Sequence, residues 1–182
     1  DLVLTGSHGR AGIERVFLGS VVEALLHRCA RPMLTIPAHF DRPADRQGAT
    51  FSRVVCAVDF SESSLAGLAY ALSLAEEADA RLTLLHVIEM PPELRHPPRS
   101  AEFDVDLVRK EEAAMPQRLR ALIPENAAEY CTIDTAVLEG GVSRQLLRMA
   151  EARQADLIVL GVHGRNAFDL AFFGSNSKDV IR

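Results

Sequence analysis

With 182 residues, the chain is too short for two complete α/β domains and long enough for one domain with part of another. Hydrophobic residues make up 48%, and 20 basic against 25 acidic side chains give a net charge of −5, which favours a packed core and excludes a largely disordered chain. This balance also speaks against a nucleic-acid partner, and no apolar run approaches the ~18 residues that span a bilayer, so we expect a cytoplasmic protein without a membrane partner.

The two ends of the chain repeat each other. Residues 1–20, DLVLTGSHGRAGIERVFLGS, align with residues 156–175, DLIVLGVHGRNAFDLAFFGS, and both contain the pattern G-x-H-G-R-x8-G-S. Matched glycines at two spacings indicate parts of two homologous domains. Because the chain opens at Asp1 inside an apolar run and without Met, we expect it to be a fragment of a longer protein.

A helix and a short strand follow the first copy of the repeat. Hydrophobic spacing predicts the helix from Val21 to Arg28, and prolines bound the strand from Pro32 to Ile36. Residues 38–50 are polar and rich in Pro and Asp, which is typical of a linker. We therefore expect the closing part of a first domain in 1–38, a linker in 39–51 and a second domain in 52–182.

From residue 52 onward, strands and helices alternate. Apolar runs predict strands at 53–59, 81–88, 131–140 and 155–161. Helical spacing predicts helices at 61–78, 101–122 and 142–154, with a fourth beginning near Gly174. The alternation predicts an α/β fold with a doubly wound parallel five-stranded sheet in the order 3-2-1-4-5, of which the second domain lacks the last strand.

Two of these helices have an apolar face that we expect to point inward. In the helix at 61–78, which Ser61 can cap, the inward set is Leu65, Leu68, Ala69, Leu72 and Ala75. In the helix at 142–154 it is Leu146, Leu147 and Ala150.

The ends of the first and fourth strands of the second domain predict a ligand crevice. Doubly wound sheets bind ligands beyond the carboxyl ends of their strands, where the strand order reverses, and Asp59 and Gly161 would flank that point. Gly161 and Gly164 lack side chains, so backbone N–H groups can approach a ligand there.

The residues that follow suit a phosphate chain. Gly174, Ser175 and Asn176 open a helix, whose free N–H groups and positive dipole end favour an anion. His163 or Arg165 could add a hydrogen bond or a charge. The structural alternative is that the glycines serve the strand exit and the helix cap, and that His163 is a surface loop residue.

Together these motifs resemble the universal stress protein family. The resemblance rests on three motifs: G-x-x-G-x9-G-S after a strand, VDFSESS at the end of the first strand, and LLHV in the next strand. All three occur in the family's order and spacing. The resemblance covers essentially the whole chain, with residues 1–38 similar to the closing part of one domain and 52–182 similar to the next. It implies an adenine nucleotide alpha hydrolase-like fold that binds ATP together with Mg.

The resemblance also assigns roles to individual positions. It implies that Val58 and Asp59 line an adenosine pocket, that the backbone of Val87 meets adenine, and that Leu160 and Gly161 lie by the nucleoside. The positions that it matches to the phosphates are Gly164, Arg165, Gly174, Ser175 and Asn176.

Three functions remain open at this stage. The first is an ATP-binding stress-response module without catalytic residues and with at most slow hydrolysis, because no general base or second metal carboxylate lies beside the loop. The second is a nucleotide hydrolase or transferase, and the third is a dimeric interaction protein that binds no nucleotide. Since the family resemblance implies dimers, we expect a homodimer or a strand-swapped assembly in which residues 32–36, or all of 1–38, fill an edge of a sheet.

Other candidate residues have simpler interpretations. Asp59 is either a ribose-binding or metal-orienting carboxylate or a helix-capping residue, and His86 is expected to be packed or hydrogen-bonded rather than a ligand. The cysteines, Cys29, Cys56 and Cys131, are predicted to be buried free thiols. The first-copy loop has no complete site within this chain; its residues are Gly6, Gly9, Gly19 and Ser20.

Overall fold

The computed structural model describes residues 2–7, 20–37, 51–89, 105–161 and 179–181. The chain divides into two compact units, one formed by residues 1–49 and 162–182 and the other by residues 50–161.

The first unit contains two short parallel strands and a helix. Strand β1 is Val3–Gly6, helix α1 is Ser20–Arg28 and strand β2 is Met33–Ile36. The strands pair from Val3 opposite Met33 to Gly6 opposite Ile36. A small apolar cluster joins α1 to β2 and to the helical turn at 179–181, through Val22, Leu26, Met33 and Ile181.

The second unit is a regular alternation of strands and helices. Its strands are β3 (Arg53–Ala57), β4 (Arg81–Ile88), β5 (Thr132–Glu139) and β6 (Leu157–Leu160). Its helices are α2 (Glu62–Ala78), α3 (Val105–Arg120) and α4 (Val142–Arg153), with a 3₁₀ turn at Ala127–Glu129. These bounds agree with the predicted elements to within a few residues at each end.

The four strands of this unit form one parallel sheet in the order β5-β4-β3-β6. The predicted α/β class with a parallel sheet is therefore confirmed. Numbered within the unit, the order reads 3-2-1-4. Strands β1 and β2 form a two-stranded sheet of their own, and no described residue of the second unit supplies a fifth strand.

The core lies on the face of the sheet that α2 and α3 cover. Val54 and Cys56 of β3 and Leu82 and Leu84 of β4 are at most 1% exposed, and they cluster with buried residues of the two helices, namely Leu68, Ala71, Ala75 and Leu119. Alternate residues of a strand point to opposite faces, so Val55 and Leu85, also buried, belong to the other face.

Two predicted helix faces were rotated relative to the observed ones. On α2 the buried residues are Ser64, Leu68, Ala71 and Ala75, whereas Leu65 is 38% exposed and Ala69 is exposed. On α4 Leu146 is buried, but Leu147 is 42% exposed. Neighbouring residues on a helix are about 100° apart, so a small rotation imposed by the sheet moves a flanking leucine into solvent.

The amino ends of β3 and β6 are joined by one carboxylate. Asp156 Oδ2 accepts the Ser52 N–H at 3.0 Å, and Oδ1 accepts the Arg53 N–H at 3.0 Å. The Asp156 N–H in turn donates to the Arg53 carbonyl at 2.9 Å. The start of β6 is thereby fixed against the start of the central strand by three hydrogen bonds.

All three cysteines are free thiols, as predicted, but only two are buried. Burial raises the pKa of Cys56 to about 12, which keeps it protonated and inert at neutral pH. Burial, followed by the carboxylates of Glu76 and Asp79, also raises the pKa of Cys131. Cys29, which directly follows α1, is only half-buried, so the prediction of burial was wrong for this residue.

Candidate functional site

The candidate site lies at the carboxyl edge of the sheet, where β3 turns into α2. The Val58 N–H still bonds to the Leu85 carbonyl of β4 at 2.8 Å. Two residues later Phe60 has a φ of +63°, a conformation that bulky L-residues rarely adopt and that surrounding contacts must hold in place. This turn sends the chain away from the sheet, and Ser61 caps the first turn of α2 by accepting the Ser64 N–H at 3.2 Å.

The Asp59 carboxylate is held rigidly within this turn. Its Oδ1 accepts the Ser61 N–H at 2.9 Å and the Ser61 hydroxyl at 2.5 Å. The Asp59 N–H donates to the Ser64 hydroxyl at 3.3 Å. Of the two alternatives, the capping bond to the helix comes from Ser61, and Asp59 fixes the capping residue instead of capping the helix itself.

These contacts predict a dependence of stability on pH. Burial alone would raise the pKa of Asp59, but hydrogen bonds from the Ser61 and Ser64 side chains and from backbone N–H groups outweigh it and lower the pKa below 3.8. A lowered folded-state pKa contributes stability at neutral pH that is lost as the pH falls below about 4. We expect the free energy of unfolding to fall less steeply between pH 4 and pH 2 in Asp59→Asn than in the wild type. Urea titrations at each pH measure the free energy of unfolding. If it fell equally steeply with pH in both proteins, the expectation would be contradicted.

Gly161 brings the end of β6 against the start of α2. A Cβ atom at this position would lie 2.6 Å from the Ser64 nitrogen, 2.7 Å from the Ser63 hydroxyl and 2.8 Å from the Ser63 carbonyl carbon. Such distances are far inside van der Waals contact, so only glycine fits. Leu160, which precedes it, pairs with Ala57 at the end of β3.

His86 is packed and hydrogen-bonded, as predicted. It is 9% exposed, and its Nδ1 lies 2.7 Å from the Val58 carbonyl oxygen. Since a carbonyl oxygen can only accept, Nδ1 is the donor. The Phe60 ring lies 5.0 Å from the imidazole at a tilt of 57°, and the Arg118 guanidinium of α3 lies 4.6 Å above the Phe60 ring.

The backbone of Val87 faces the same crevice. Within a strand, the peptide groups of every second residue point toward the same neighbouring strand. The Leu85 carbonyl bonds to β3 and the Ile88 carbonyl to Gly140 after β5, so the Val87 N–H and C=O point toward β3. Regular pairing ends at Ala57 opposite Leu85, which leaves Val87 just beyond the paired part of β3.

The structure thus brings five of the predicted site residues to one edge of the sheet. They follow or end β3, β4 and β6, and they are Val58, Asp59, Val87, Leu160 and Gly161. The other predicted site residues, which belong to the proposed phosphate loop, lie outside the described residues: His163, Gly164, Arg165, Gly174, Ser175 and Asn176.

Sequence reasoning did not find the contacts of Phe60, Ser63 and Arg118. Phe60 belongs to the VDFSESS segment. An aromatic residue between a strand-end aspartate and a capping serine could have marked it as a candidate site residue. For Arg118, by contrast, only the tertiary packing of α3 shows its contact with Phe60.

Within the described ranges, no group of three or more His, Cys, Asp or Glu side chains is placed to hold a metal ion. None of the helices in that part of the chain is long and apolar enough to cross a membrane.

Comparison with known proteins identifies the family. The universal stress protein family matches residues 1–37 and 50–182. A universal stress protein from Thermus aquaticus is 30% identical over 131 residues, which cover 72% of this chain and 91% of that protein. One from Mycolicibacterium smegmatis is 29% identical over 191 residues, covering all of this chain and 58% of that protein.

A solved structure of similar fold supports the match. The universal stress protein from Archaeoglobus fulgidus aligns with 99% of this chain and 56% of its own, with a TM-score of 0.60 and 22% identity. The chain therefore spans little more than half the length of this protein and of the Mycolicibacterium relative. The resemblance seen in the motifs is confirmed, and the chain belongs to the universal stress protein family.

Proposed function

We propose that this universal stress protein binds ATP at the carboxyl edge of its four-stranded sheet and acts as a nucleotide-dependent regulatory module in the stress response, with at most slow hydrolysis. The observation that carries the proposal is the convergence of a fixed carboxylate, an open strand backbone and an obligatory glycine at this edge. These are Asp59, Val87 and Gly161.

Two of these groups, the Val87 backbone and the Asp59 carboxylate, have a chemical counterpart in adenosine. The peptide N–H and C=O of Val87 present one donor and one acceptor, which match the N1 acceptor and the N6 amino donor of adenine. Both bonds from Ser61 end on Asp59 Oδ1, so Oδ2 is the oxygen placed to accept a ribose hydroxyl. The lowered pKa of Asp59 keeps it ionised at neutral pH, and charge-assisted hydrogen bonds are the strong ones.

For the phosphates the proposal rests on the sequence. Residues 162–178 lie outside the described residues, and within them we propose that the phosphates contact Gly164, Arg165, Gly174, Ser175 and Asn176, with His163 nearby. Mg would accompany the nucleotide through its phosphate oxygens.

The test is calorimetric titration of the wild type, Asp59→Ala and Asp134→Ala with MgATP. Asp134 is a matched control because its half-exposed carboxylate pairs with Arg153 of α4 and with none of the described site residues. We expect Asp59→Ala to weaken ATP binding at least about tenfold, the loss of one charged hydrogen bond, and Asp134→Ala to leave it unchanged. Absence of ATP binding in the wild type would refute the proposal, and rapid phosphate release would move it toward the hydrolase alternative.

We also propose the tandem organisation, with 1–38, 39–51 and 52–182 as its segments, and a homodimer or strand-swapped assembly. Support for the assembly comes from β6, which is an edge strand of the sheet that the described residues form, although its sequence, LIVL, is wholly apolar and only half-buried. Apolar edge strands pair readily with another strand. Light scattering after gel filtration should give the mass of a dimer, and a compact monomer would speak against it.

A further inference from the structure

We propose that His86 is a positioning residue that keeps the Val87 peptide N–H free for the nucleotide base by occupying the Val58 carbonyl oxygen. This inference rests on the proposed function for the identity of the ligand. The first part of the inference is that the His86 side chain and the Val87 N–H compete for the Val58 carbonyl. This part concerns the protein alone and does not depend on the ligand.

The first step is the expected course of a parallel ladder. In a parallel pair, a residue that donates its N–H to one residue of the neighbouring strand accepts, through its C=O, the N–H two positions further along that strand. The Val58 N–H donates to the Leu85 carbonyl at 2.8 Å, so the regular partner of the Val58 carbonyl would be the Val87 N–H.

The second step is that this bond is replaced. Pairing stops at Ala57 opposite Leu85, and the Val58 carbonyl accepts the His86 Nδ1–H at 2.7 Å. Among the described residues, no hydrogen bond joins the Val87 N–H to β3. The Val87 N–H is thus left at the crevice, and the acceptor that it would have in a regular ladder accepts the His86 side chain instead.

The third step is that the replacement is held in place. The imidazole is 9% exposed and packs against the Phe60 ring, whose own φ of +63° needs support from its surroundings. The Arg118 guanidinium covers the Phe60 ring at 4.6 Å. His86 is therefore held by burial, by the Phe60 ring and by its bond to the Val58 carbonyl, and within the described residues the neighbouring Val87 N–H makes no hydrogen bond to β3.

The experiment compares wild type, His86→Leu and His86→Asn. Leucine removes the donor, whereas the asparagine amide nitrogen occupies roughly the place of Nδ1 and can still donate to the Val58 carbonyl. We measure exchange of the Val87 amide hydrogen by NMR without nucleotide, and then the affinities for MgATP and MgITP. In ITP the base carries a hydrogen on N1, so it does not accept from the Val87 N–H.

We expect the Val87 amide to exchange at least tenfold more slowly in His86→Leu, because it pairs with the freed Val58 carbonyl. His86→Asn should stay within threefold of the wild type. ATP binding should weaken about tenfold in His86→Leu only, and the preference for ATP over ITP should fall toward one. A general loss of structure would instead make the Val87 amide exchange faster, so the two explanations predict opposite changes in the exchange rate.

Either part of the inference can be overturned separately. Unchanged or faster Val87 exchange in His86→Leu would overturn the competition for the Val58 carbonyl, whatever the nucleotide data show. Slower exchange with unchanged ATP affinity and selectivity would overturn the role of the Val87 N–H in reading the base. If the wild type binds no ATP, the proposed function and the role in base reading fail together, and the exchange data still decide the positioning.

Discussion

Replacing Gly161 by alanine is expected to destabilise the four-stranded unit by about 3 kcal/mol and to abolish ATP binding with it. The new methyl group would meet the Ser64 nitrogen at 2.6 Å and the Ser63 carbonyl carbon at 2.8 Å. Both are backbone atoms at the start of α2, so no side-chain rotation relieves the overlap. Either α2 or the end of β6 must move, and overpacking of this kind typically costs 1–3 kcal/mol or more.

A second glycine across the same contact provides the control. Gly67 lies in α2, and a Cβ there would meet Val159 at 3.6 Å and the Gly161 nitrogen at 3.7 Å, which is ordinary van der Waals contact. Gly67→Ala should therefore be neutral or stabilise the unit by up to ~1 kcal/mol through helix propensity. Urea unfolding followed by circular dichroism compares the two variants. If they unfold at the same urea concentration, the close approach at Gly161 does not exist in solution.

Asp156→Ala should lower the free energy of unfolding by about 2–3 kcal/mol. The carboxylate accepts backbone N–H groups from Ser52 and Arg53, and hydrogen bonds to charged groups contribute roughly 1.5–3 kcal/mol. Asp156→Asn, with one acceptor oxygen instead of two, should fall between the wild type and Asp156→Ala.

Asp134→Ala is the matched control for Asp156→Ala. Among the described residues the Asp134 side chain pairs only with Arg153, and both side chains are about 40% exposed. Exposed ion pairs contribute little, so this variant should stay within about 0.5 kcal/mol of the wild type. Equal losses in Asp134→Ala and Asp156→Ala would mean that removal of any acidic side chain, and not the clamp at the amino ends of β3 and β6, determines the effect.

The parts of the fold that sequence predicted are those that local chemistry determines. Apolar runs gave the strands, and the serine before Glu62 gave the start of α2, because a side chain that caps a helix needs no distant partner. Asp59 and Gly161 were placed at one edge because parallel strands with helical connections bring their carboxyl ends together.

What remained hidden depends on contacts between distant segments. Leu65 and Leu147 looked inward on a helical projection, but the rotation of each helix is set by the sheet beneath it. The steric need for Gly161 comes from Ser63 and Ser64, far away in the sequence. The Phe60 ring, at a residue with an unusual φ, contacts His86 and Arg118, which lie 26 and 58 positions further along the chain.

The position of β6 beside the central strand has a consequence for synthesis of the chain. Ser52 and its partner Asp156 are separated by 104 positions, so β3 leaves the ribosome long before its β6 neighbour exists. At about 5–20 residues per second, the delay is roughly 5–20 s. During that interval one edge of an apolar strand is unpaired, a state that favours aggregation. Nascent chains of this protein should therefore depend on co-translational chaperones until Gly161 has emerged.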